Sequence, residues 1–133
     1  MKRESGNSAE EAAKEYRETG ERLGAAYRFG VPIAFGTGAT EGIAKYTRGT
    51  LSMSWVDSYA AAGISPRAIL QMMTVNAARL FGVEDTRGAI KPGMAADIIA
   101  TPANPLEDIQ ALKRVNFVMK DGAIFRNEPE ARP

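Results

Sequence analysis

Gly30-Val31-Pro32-Ile33-Ala34-Phe35-Gly36-Thr37-Gly38 decides how the rest of this chain is read: an apolar run bounded by glycines that opens into a second glycine-rich stretch. A short apolar run without alternation predicts a strand buried on both faces, the kind found in parallel sheets. Pro32 has no N–H to give a ladder, so it fits the start of that strand better than its middle. Residues 36–49 read as a long loop at the strand's C-terminal end. Parallel α/β sheets and barrels build their sites at that end, so any chemistry is expected there.

The segments on either side read as helices. Ser8 and Glu11 form a capping-box pattern ahead of a run rich in Ala, Glu, Lys and Arg that extends to Arg28. Ala12, Tyr16, Leu23, Ala26 and Tyr27 recur near helical spacing, Gly20 and Gly24 leave room for a close neighbour, and Gly30 suits the stop. Residues 52–62 resume a helical face through Trp55, Val56 and Tyr59, closed by Gly63. Ser65 as N-cap and Pro66 at the first helical position then open another helix. Ile69, Met73, Ala77 and Leu80 supply its buried stripe and Gly82 its end.

Beyond Gly82 the texture changes to short β-like runs at residues 88–90, 96–100, 115–120 and 123–126. Asp121-Gly122 between the last two predicts a two-residue hairpin turn, because both central residues must take positive φ. The polar, proline-containing tail from Asn127 onward is expected to fray. Residues 1–82 therefore read as a strand with its helices, 83–127 as a small sheet, and 128–133 as a tail.

Composition narrows the chemistry. Among 133 residues, 17 Lys and Arg oppose 16 Asp and Glu, and a net charge of +1 gives no electrostatic basis for binding nucleic acid or an anionic membrane. The absence of cysteine excludes disulfides and thiolate metal sites, and the absence of histidine removes the commonest metal ligand and general base. No apolar run approaches the ~20 residues of a membrane span, and the basic start has no apolar segment behind it. A cytoplasmic chain is expected, with a small molecule or another protein as its partner.

Taken in order, several blocks resemble the C-terminal third of the amidohydrolase superfamily, in particular its imidazolonepropionase and Xaa-Pro dipeptidase branch. The stretch 30–37 quoted above is the first of them. Ala62-Gly63-Ile64-Ser65-Pro66 and Thr74-Val75-Asn76-Ala77-Ala78-Arg79-Leu80 follow. Gly88-Ala89-Ile90-Lys91-Pro92-Gly93-Met94-Ala95-Ala96-Asp97, Asn104-Pro105-Leu106-Glu107-Asp108-Ile109 and Val118-Met119-Lys120-Asp121-Gly122 complete the series. The resemblance implies an α/β chain: residues 1–82 as the closing strand and helices of a (β/α)₈ barrel, and 83–127 as part of an accessory β-sandwich. It implies hydrolysis of C–N bonds in amides, cyclic amides or dipeptides by a metal-bound hydroxide, with zinc or another divalent metal as the cofactor of the full-length family.

The same resemblance marks departures. Members of this branch usually read Gly-Thr-Asp where this chain reads Gly36-Thr37-Gly38, and glycine has no side chain to ligate a metal or hold a proton. A His-Gly pair is replaced by Arg48-Gly49, and Ser54 stands where a glutamate is expected. No catalytic residue and no metal ligand is assigned, and Thr37, Gly38 and Arg48 remain as pocket-lining candidates. The chain alone is expected to bind no metal and to be inactive, while another chain or a second copy covers its open barrel edge.

Two other classes compete. Residues 36–42 could be a glycine-rich phosphate cradle, with Asp57 as the acidic residue about 20 positions on. Lys45, Tyr46 and Arg48 could instead serve a non-catalytic binding or assembly module, against the plainer reading of solvated loop charges. Trp55, Met72 and Met73 read as core before pocket, Asp97 as an acceptor for backbone donors at a strand start, and Glu41 and Asp57 as carboxylates without visible partners.

Overall fold

The computed structural model describes residues 9–38 and 47–128. Ser8, Glu41, Gly42, Lys45, Tyr46 and the tail from residue 129 lie outside the described residues, as do the side chains of Glu11, Ala12 and Tyr16. The elements run α1 (Ala9–Arg28), α2 (Arg48–Ala61), α3 (Pro66–Met73), α4 (Val75–Leu80), β1 (Ile98–Ala100), a 3₁₀ helix (Ile109–Arg114), β2 (Phe117–Lys120) and β3 (Ala123–Asn127).

Local signals set the helix boundaries. Gly30, at φ 73°, closes α1 with paired bonds from its own N–H to Tyr27 O and from Val31 N–H to Ala26 O, both 3.0 Å. These satisfy carbonyls the helix end would orphan. Ser65 caps α3 by accepting the Ala68 N–H at 3.3 Å, with Pro66 at the first turn. The hairpin turn forms as expected, Asp121 at φ 47° and Gly122 at φ 80°.

The core lies between the helices. Val56, Tyr59, Ile64, Ile69, Met72, Ile109 and Leu112 form one buried cluster, against which Leu23, Tyr27, Ile33 and Phe35 pack. Gly24 is what lets α1 approach α2, since a Cβ there would lie 2.7 Å from the Ala62 carbonyl oxygen. Strands β1, β2 and β3 form an antiparallel sheet in that order, with Ile98 opposite Met119, Met119 opposite Ile124, and an irregularity between Val118 and Met119. No described helix is long and apolar enough to cross a membrane.

Several expectations are corrected. Residues 31–35 are extended but form no strand, because no neighbouring strand among the described residues offers them a ladder. Burial is one-sided: Ile33 and Phe35 face the core, whereas Val31 is 52% exposed. Helix α2 begins at Arg48, four residues before position 52, because Thr47 Oγ1 accepts the Thr50 N–H at 3.1 Å and starts the turn there. The single helix expected from Pro66 onward is two, broken at Thr74 (φ −122°, ψ −92°), whose hydroxyl donates back to Leu70 O at 2.7 Å. Before the break Met72 is buried and Met73 half-buried, and beyond it Ala78 is buried and Leu80 is 69% exposed. Residues 88–90 form no strand, and the 3₁₀ helix, started by Asp108 accepting the Gln110 N–H, occupies a segment with no helical period to read.

Candidate functional site

The C-terminal end of the extended segment is where the sequence placed the site. Two bonds from the closing helices hold that segment. Phe35 N–H donates to Met72 O at 2.9 Å, and Asn76 Nδ2 donates to Ile33 O at 2.9 Å. The Phe35 ring then packs on Tyr59 with centroids 4.8 Å apart. In the sequence Asn76 falls within the helix expected from Pro66 onward. Its role in fixing the segment was legible only as an amide set among alanines, a residue type that seeks a backbone partner when half-buried.

Thr37 and Ser52 come together at the segment's mouth, their hydroxyl oxygens 3.3 Å apart. Gly38 follows at φ 61°, and a Cβ placed on it would meet nothing within 4 Å. Arg48 is exposed on the first turn of α2. Thr37 and Gly38 are consecutive, and Arg48 opens α2, the helix whose Ser52 meets Thr37. No group of three or more His, Cys, Asp or Glu able to hold a metal exists among the described residues. A hydrolytic zinc site needs about three protein ligands and an open position for water, so the residues present do not fit one.

The carboxylates weighed from sequence have structural partners. Asp57 accepts from Lys113 Nζ at 2.7 and 2.6 Å and from Gln110 Nε2 at 2.8 Å, tying α2 to the 3₁₀ helix. The Lys113 bond first, then that of Gln110, hold its carboxyl below the usual aspartate value. It sits mid-helix and not at a strand end, which removes the acidic residue the nucleotide-cradle reading needed. Asp97 accepts the Asp121 backbone N–H at 2.8 Å, as its position before a strand suggested, and that bond leads the lowering of its pKa. Trp55 is half-buried and Met72 belongs to the core.

A groove of about 600 Å³ runs along the other end of the extended segment, lined by Tyr27, Val31, Pro32, Met72, Asn76 and Arg79 among others. Its walls are mainly apolar, and none of Thr37, Gly38 and Arg48 lines it. It is therefore a gap in packing beside the segment and distinct from the mouth.

Residues 12–125 match the Amidohydrolase family. An adenine deaminase 2 of Desulfotalea psychrophila is 38% identical over 87 residues, which cover 62% of this chain and 14% of that relative. An ochratoxinase of Aspergillus niger is 31% identical over 105 residues, covering 76% of this chain and 21% of the relative. Among solved structures, a Xaa-Pro dipeptidase with methionine bound in its active site superposes with a TM-score of 0.72 and 33% identity, over 81% of this chain and 25% of that one. A prolidase from Bifidobacterium longum gives 0.69 and 28%, over 83% and 27%. The chain spans 14% of the deaminase, 21% of the ochratoxinase and 25% of the dipeptidase.

Proposed function

Because this chain belongs to the amidohydrolase family, we propose that it forms the closing wall of a hydrolase barrel whose other residues carry the metal and the chemistry. In this reading residues 1–82 hold the last barrel strand and its helices, and 83–127 part of the accessory sandwich. The whole protein would act on C–N bonds of small amides, cyclic amides or dipeptides, as the names of the dipeptidase and deaminase relatives suggest. The family is generally metal-dependent, yet this chain supplies a glycine, open and at positive φ, at the position where the branch carries its metal-binding aspartate.

That glycine carries the proposal's second half, that the chain alone is inactive. Thr37, Gly38 and Arg48 line the mouth without offering a ligand or a base, and their part is to shape the pocket floor. The test is zinc content and Xaa-Pro dipeptide hydrolysis by the purified chain after incubation with zinc. Substoichiometric metal and hydrolysis no faster than buffer are expected; one tightly held zinc per chain would contradict the reading.

One observation favours a second role, as an assembly module. Phe29 is 87% exposed and Val31 52% exposed, next to the apolar groove. Association with another chain would cover both, and concentration-dependent mass in sedimentation distinguishes this from a solvated monomer.

A further inference from the structure

No residue of β1, β2 or β3 belongs to the buried cluster between the helices. The sheet therefore gains its place on the helical body from elsewhere. Its covalent tethers to that body are the segment between α4 and β1 and the short links on either side of the 3₁₀ helix.

The first tether is anchored on α4. A Cβ on Gly88 would lie 2.7 Å from the Ala78 Cβ and 3.2 Å from Thr74 O, so the backbone at 88 rests directly on that helix. The neighbouring Arg87 reaches the other way. Its Nη1 is hydrogen-bonded to Asp97 Oδ2, just before β1, and its Nη2 lies 3.8 Å from Asp121 Oδ1 in the β2–β3 turn. Asp97 Oδ1 accepts the Asp121 N–H, and Gly122 N–H donates to Ala96 O at 3.2 Å, so the start of β1 and the hairpin turn form one unit. Lys120 Nζ completes the cluster, 3.4 Å from Asp121 Oδ2 and 3.9 Å from Asp97 Oδ1.

Two cations thus face two carboxylates, and Arg87 is the one of the four that adjoins Gly88, where the tether rests on α4, with the Ala95 N–H donating to Thr86 O at 2.9 Å beside it. We propose that Arg87 is an electrostatic latch that seats the sheet against the helical body, and that raised ionic strength releases it. The side chains of Arg87, Asp97 and Asp121 are 44%, 35% and 61% exposed. Pairs this open to water are screened by salt and contribute modestly, which is what a releasable contact requires. Once released, the three-stranded sheet loses its support from the tether and its ladder opens more often, while the buried cluster is undisturbed.

The test is amide hydrogen exchange on the full chain, comparing wild type, Arg87→Ala and Arg87→Lys at low salt and at roughly 0.5 M NaCl, where the screening length is only a few ångströms. At low salt, Arg87→Ala should speed exchange across β2 and β3 by roughly two- to five-fold, the range of an exposed ion pair. The amides of α2 and α3 should not change. Arg87→Lys, which keeps the charge, should fall between, and high salt should bring wild type to the Arg87→Ala value. Equal exchange in all three proteins would overturn the latch. So would acceleration of α2 and α3 by the same factor as the sheet, since that describes one cooperative body. If Arg87→Ala does not fold, the wild-type salt series decides by the same comparison of sheet with helices.

Discussion

Ile69→Ala and Leu80→Ala separate the sequence's account of the closing helices from the structure's. Both residues fall on the apolar stripe predicted for one continuous helix, and on that reading they are equivalent. In the structure Ile69 is 0% exposed within the buried cluster, whereas Leu80, beyond the break at Thr74, is 69% exposed. Truncating a fully buried isoleucine costs about 2–5 kcal/mol, transfer and cavity together. Leu80 has only its lesser part covered, so its truncation removes at most about 1 kcal/mol of burial. A urea titration followed by circular dichroism, with the slope held common, reads both values as shifts in midpoint. Ile69→Ala should lower the midpoint strongly and Leu80→Ala slightly or not at all. Equal losses would refute the argument, because they would mean that Leu80 is buried in solution.

Further outcomes follow from the same contacts. Asp57 has its folded pKa held below its ordinary 3.8 by Lys113 and Gln110, so its contribution is fully present above that value and is lost as pH falls through the folded pKa. Asp57→Asn should cost about 0.5–1 kcal/mol near neutrality, since the pair is half-exposed, and should flatten the acid limb of a stability-versus-pH curve; an unchanged acid limb would show that Asp57 is not held by this pairing. Gly38→Asp should cost about 1 kcal/mol because the position is left-handed, and the purified variant should still hold no stoichiometric zinc by elemental analysis, since one carboxylate is one ligand. Phe29→Asp with Val31→Asp should remove concentration-dependent association in sedimentation velocity while leaving the helical signal unchanged. A wild-type chain that is a monodisperse monomer with a cooperative melt would contradict the assembly role.

What the sequence made legible were features whose cause is local. A glycine at a helix end, a serine before a proline, and Asp121-Gly122 between two apolar runs each act within a few residues, and Gly30, Ser65 and the hairpin formed as those residues dictate. The family too was legible, since its blocks follow in order. What failed depended on partners distant in sequence. The run at 31–35 has the composition of a buried strand, but strand identity is a property of a pair, and nothing among the described residues supplies the second member. Thr74 broke a helix through a hydroxyl that periodicity does not weigh, and the 3₁₀ helix, which adds Ile109 and Leu112 to the core, is tied to α2 by Asp57 and Lys113, 56 residues apart.

The site shows the same division more sharply. Gly38 could be singled out from sequence because an expected side chain was missing, and the structure adds that its space is open and its backbone left-handed. Asn76 could not be, because its importance lies in reaching Ile33 across 43 positions of chain. Asn76 thus fixes the segment that leads to this mouth, while among the described residues no group of three or more His, Cys, Asp or Glu could hold a metal. A scaffold that holds its segment with an amide, yet presents at 38 a glycine with open space and a left-handed backbone, offers shape and no side chain at that point. On the proposed reading a metal at this mouth draws about three ligands, so Gly38→Asp supplies one of them and leaves the chain without stoichiometric zinc.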